Sequence, residues 1–73
     1  MAFEALVQRP DLHRIVLEEH SEGTYIFVFR QAGSARPDED QLQNDLEMAM
    51  RVCEEDYDVA RHSWKQIPDL GLM

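Results

Sequence analysis

The sequence predicts an α+β fold: one small domain in which a β-hairpin is followed by a long amphipathic helix packed on the sheet and then a short third strand, a ββαβ order. Three observations point there. Residues 38–58, DEDQLQNDLEMAMRVCEEDYD, place Leu42, Leu46, Ala49, Met50, Cys53 and Tyr57 three or four apart, the spacing of one helix face. Residues 24–30, TYIFVFR, are almost wholly β-branched or aromatic. Between residues 12–18 and 24–30 lies only a short polar stretch, EHSEG.

Taken in order, Met1–Gln8 reads two ways. Phe3, Leu6 and Val7 suit a helical turn, whereas Phe3, Ala5 and Val7 alternate as in a strand. We read residues 1–11 as an N-terminal arm that lays apolar side chains on the sheet. Pro10 ends it, lacking an N–H and biasing Arg9 toward extended geometry.

Leu12–Glu18 is expected as the first strand, with Ile15 and Leu17 on one side and Arg14, Val16 and Glu18 on the other. Glu19–Gly23 is the turn. In the second strand Tyr25, Phe27 and Phe29 share one face, and Ile26 and Val28 the other. A strand apolar on both faces is an interior strand covered on both sides. One helix covers only one face, so the other is sheltered by the arm, sheltered by a second subunit, or left partly exposed. Val16, Ile26 and Val28 are read as the face behind the helix and as the surface through which a homodimer would form.

Gln31–Pro37 is loop. The helix is expected to start after Pro37, with Asp38 or Asp40 as its cap. At its far end Glu54, Glu55 and Asp56 sit against the negative end of the helix dipole, a local conflict that Arg61 or His62 would relieve by folding back. Asp58 should end the helix in left-handed geometry, with Val59 making the apolar contact that accompanies such caps. Ser63–Ile67 is the third strand: order 1-2-3, parallel to the second, is preferred, and order 2-1-3, with all neighbouring pairs antiparallel, is the alternative. Residues 68–73 are expected to be a loose tail.

Charge is unevenly distributed. The chain has 73 residues with a net charge of −8. Residues 38–58 hold nine acids and one base, so the rest of the chain is formally neutral. Such a surface repels phosphate, which argues against nucleic acid and against anionic membranes. A basic protein partner is compatible. The candidate binding surface is Glu39, Gln43, Glu47, Glu54, Glu55 and Asp58. Any open strand edge is a further candidate, because its unpaired backbone groups invite strand addition.

Chemistry is not expected. His13, His20, His62 and Cys53 lack the close spacing of a zinc site, and Glu54 with Asp58 has no loop like that of a calcium site. Cys53 lies on the apolar helix face, where a thiol stays protonated. Ser63 and His62 are adjacent and so poorly placed to act as a pair. Three glycines leave no material for a phosphate loop. No cofactor, metal or catalytic residue is therefore assigned. One cysteine, no long apolar run and no signal-like start lead us to expect a cytoplasmic protein.

Residues 45–64, DLEMAMRVCEEDYDVARHSW, resemble a group of very short bacterial proteins of unknown function. Those proteins share an aromatic strand, here TYIFVF, an acidic helix ending in Glu55, Asp56 and Tyr57, and a Trp shortly after, here Trp64. Similar chains often carry Gly where this one has Asp58. The likeness spans most of residues 12–67. It implies bacterial origin and a compact domain, with no activity or cofactor attached.

The expectation is thus a non-catalytic interaction or accessory module. The alternatives are an acidic decoy that imitates the phosphate rail of DNA and inhibits a basic protein, and, remotely, a small enzyme.

Overall fold

A computed structural model describes residues 1–71. Five strands form one antiparallel sheet: β1 (Ala2–Arg9), β2 (Leu12–His20), β3 (Gly23–Phe29), β4 (Glu39–Gln43) and β5 (Lys65–Ile67), in the order β4-β3-β2-β1-β5. A single helix, α1 (Leu46–Tyr57), packs over β2, β3 and β4. A 3-10 turn at Arg61–Ser63 precedes β5. The hairpin, the helix on the sheet and the closing strand all form, within a larger sheet.

The hairpin is tighter than the sequence suggested. His20 pairs with Gly23, so only Ser21 and Glu22 make the turn. Pairing of Val16 with Phe27 and of Leu17 with Ile26 puts every alternate side chain on a defined face. Ile15, Leu17, Ile26 and Val28 face the helix and join Ala5, Leu12, Ala49, Cys53 and Val59 in the main core. Each buried aliphatic side chain of this kind contributes about 1.5–3 kcal/mol, which is what holds a sheet under one helix.

Several expectations need correction. The N-terminal arm is an eight-residue strand paired with β2, from Ala2 opposite Glu18 to Leu6 opposite Arg14. Its alternating reading prevails because β2 offers a full ladder of backbone partners, while an isolated helical turn offers almost none. As a result the arm extends the sheet and does not cover it. Ile26 and Val28 belong to the helix side, so the face behind the helix carries Val16 with Tyr25, Phe27 and Phe29.

The long helix is the second correction. Residues 39–43 are an edge strand on β3, and the helix runs only from Leu46. Asp45, with φ −158° and ψ 177°, is the cap, and its carboxylate accepts from the Met48 N–H at 2.8 Å. The helix-like spacing of Leu42 was accidental: Leu42 stands 45% exposed on the strand. The closing strand also differs. β5 pairs antiparallel with β1 at the opposite edge, so it is not the parallel neighbour of the TYIFVF strand.

The helix terminus follows expectation. Asp58 adopts φ 59° and ψ 37°, and Val59 is buried in the main core while its N–H reaches the Cys53 carbonyl at 3.2 Å. Of the expected tail, Pro68–Gly71 has no regular structure, and residues 72 and 73 lie outside the described residues.

Candidate interaction surface

The acidic segment divides into two parts with different jobs. On α1, Glu47, Arg51, Glu54 and Glu55 point outward because Ala49 and Cys53 occupy the buried side. Glu47 is not free: Arg61 clamps both of its oxygens, one at 2.8 Å. That bond holds the Glu47 carboxyl below its ordinary range and raises the Arg61 guanidinium. Glu54, Glu55 and Asp56 are exposed and make no ion pair among the described residues. The last helical turn contains no basic residue.

Arg61, expected to relieve the helix end, therefore pairs near the helix start. The relief comes from β1. Arg9 donates to the Tyr57 carbonyl at 2.7 Å and lies 4.0 Å from the Asp58 carboxylate.

On β4, Glu39 is bound by Arg30, whose guanidinium also donates to the Asp11 carbonyl at 3.1 Å. The pairing raises the Arg30 pKa. Asp38 accepts from the Arg30 backbone N–H at 2.7 Å. Gln43 donates to the Gln41 side chain at 2.8 Å. Of the six surface residues read from sequence, Glu47, Glu54, Glu55 and Asp58 lie on or at the end of the helix, while Glu39 and Gln43 lie on the edge strand. The six are not one face.

Sequence reasoning missed Asp40 and Leu42. By register Leu42 sits beside Tyr25, and Asp40 beside Phe27, on the face away from the helix. A signal was present in Asn44–Asp45, a turn-and-cap pair directly before Leu46.

That far face is already largely closed. Val16, Phe27 and Phe29 are buried. Arg14 lays its guanidinium 4.2 Å over the Phe29 ring and reaches Glu4 at 3.8 Å, and Tyr25 stacks on Phe27 with centroids 5.8 Å apart. Glu18 is 1% exposed there, with one oxygen 3.0 Å from His20 and the other without a partner among the described residues. The Tyr25 hydroxyl donates to Glu22 at 3.0 Å, which raises the phenol pKa.

No catalytic grouping is assembled from the residues considered for it. Cys53 is buried, and burial, with Asp56 nearby, pushes its thiol up to about 12. His62 and Ser63 lie exposed on the 3-10 turn with no hydrogen bond between their side chains among the described residues. The described residues contain no group of three or more His, Cys, Asp or Glu able to hold a metal ion. No described helix is long and apolar enough to cross a membrane.

Comparison with protein-family models, with curated proteins and with solved structures finds no match for this chain.

Proposed function

We propose that the chain is a non-catalytic interaction module whose acidic side receives a basic protein partner. One observation carries this reading. Glu54, Glu55 and Asp56 stand exposed at the negative end of α1, with no basic residue in the last turn. Each carboxylate there costs the helix about 0.3–1 kcal/mol at low salt; Arg9 serves the Tyr57 carbonyl and Asp58, and none of the three gains an ion pair in return among the described residues. A charge kept where it weakens the fold is the pattern of a surface held for binding.

The decoy reading is less well supported. The acids of residues 38–58 split between a five-residue strand and a twelve-residue helix about 18 Å long, too short to copy a run of phosphates. A homodimer through the far sheet face has little to gain, since Val16, Phe27 and Phe29 are buried within one chain. A cytoplasmic setting suits the single reduced cysteine, and the resemblance to short bacterial proteins suits an accessory role.

The test is titration with a lysine-rich peptide at low and at physiological salt, for the wild type and for the triple variant Glu54→Gln, Glu55→Gln, Asp56→Asn. Binding should weaken with salt and weaken further in the variant, while the variant's melting temperature rises. Salt-independent binding, or a variant that binds as well as the wild type, would remove the acidic helix end from the account.

A further inference from the structure

We propose that the outer edge of β4 is a strand-addition site for an extended segment of a partner protein that carries a lysine or arginine two residues from an apolar side chain. The proposal rests on the basic-partner reading above and specifies how that partner docks.

β4 pairs with β3 across five consecutive residue pairs, from Val28–Glu39 to Thr24–Gln43, without a register break. It is the outermost strand, so its other side has no strand partner among the described residues. Sheet edges are normally blunted by proline, charged side chains such as lysine, a bulge or extreme shortness; the charges on β4 are Glu39, paired with Arg30, and Asp40. Glu39–Gln43 has no proline, no lysine and no bulge. The opposite edge, β5, is only three residues long and contains Lys65. The two edges are therefore unequal, and β4 is the open one.

The side chains of β4 specify what would fit. On the face away from the helix Asp40 and Leu42 alternate, both exposed. Leu42 rests beside Tyr25 and Asp40 beside Phe27, so both project from a rigid aromatic base. Asp40 makes no ion pair among the described residues, unlike Glu39, which Arg30 already neutralises. On the helix side the added strand would meet Glu39, Gln41 and Gln43, all polar. An incoming strand thus finds an apolar neighbour at Leu42, an anionic one at Asp40 two residues away, and polar groups between them on the other face.

Charge selects against a second copy of this chain. Two β4 edges would bring two unpaired Asp40 carboxylates close together, in chains that each carry a net charge of −8. A cationic strand gains from the same field.

The probe is a capped synthetic peptide with a Lys-Thr-Val-Thr-Lys core, whose central valine has a lysine two residues away in either chain direction. Backbone amide exchange of β4 should slow on binding at alternate residues, the outward-facing set. Leu42→Lys and Asp40→Lys, both at exposed positions outside the core, should each weaken binding by about tenfold or more. The Glu54, Glu55, Asp56 triple variant should weaken it less. If the edge variants bind like the wild type while the helix variant loses the peptide, the edge is not the site and the acidic-partner reading alone survives. If the peptide-free protein sediments as a dimer with β4 amides already protected, a second copy holds the edge and the proposal fails. If the wild type binds neither this peptide nor a lysine-rich one at low salt, both readings fall together.

Discussion

Arg9 donates a hydrogen bond at 2.7 Å to the main-chain carbonyl of Tyr57, joining the end of the first strand to the last turn of the helix across 48 residues. It serves the helix as a basic C-terminal residue would, from another element. Arg9→Ala should therefore destabilise the fold by about 1 kcal/mol, combining one lost hydrogen bond with a lost dipole contact. Urea denaturation of Arg9→Ala beside Lys65→Ala, a surface control, measures it. Equal stabilities would mean that water satisfies the Tyr57 carbonyl just as well.

Gly23 is a second point of close approach. Its φ is +148°, and a Cβ there would run into the Gln43 carbonyl oxygen and crowd a Leu42 methyl. The carbonyl is backbone, so it cannot rotate away. Gly23→Ala should cost about 1–3 kcal/mol and loosen β4 from β3 before the rest of the sheet opens. Amide exchange separates the two effects: β4 amides should speed up more than those of β2. A uniform change over the sheet would refute the local account.

Cys53 faces Ala49 and the hairpin core, and its thiol is raised to about 12 by burial and by Asp56. At neutral pH the native protein should react with an alkylating reagent only through opening, so labelling should be slow in buffer and prompt in urea. Prompt labelling of the native protein would put the thiol in water and contradict the helix packing described above.

Much of this fold is legible in the sequence because β-structure at its centre is over-determined. Ile15, Leu17, Ile26 and Val28 alternate with side chains of the other face, and one register of one hairpin satisfies them all. Asp58 and Val59 are legible for a similar reason: few residues other than Gly and Asn tolerate φ near 59°, and an apolar residue follows directly. What misleads is Leu42. Its spacing to Leu46 and Ala49 fits a helix, yet the N–H and C=O groups on β3's outer side need partners, and residues 39–43 supply them. Asp45 then caps a shorter helix. The candidate surface suffered with it, since six residues expected on one rod are shared between a rod and a sheet edge. Arg9 could not be read as a helix cap at all, because nothing local ties residue 9 to residue 57.

The Glu47–Arg61 pair makes a prediction about pH. Arg61 holds the Glu47 carboxyl below its ordinary value of 4.5 in the folded protein. A carboxyl depressed by folding adds stability that is complete above its unfolded pKa and vanishes as pH falls through the folded one. The contribution should thus be full at neutral pH, begin to fade near pH 4.5 and be gone in stronger acid. Glu22, lowered by hydrogen bonds from its own backbone and from Tyr25, acts in the same window and the same direction. Both carboxylates are exposed, so each effect is small and salt-sensitive. Arg61→Ala should flatten the acid limb of the stability–pH curve without altering stability differences between pH 6 and 8, a range chosen to lie above ordinary carboxylate pKa values. Thermal melts at stepped pH, for wild type and Arg61→Ala, report both limbs. If the two curves stay parallel from neutral pH into strong acid, the ion pair contributes nothing to the fold, and the outward face of α1 is held by its packing alone.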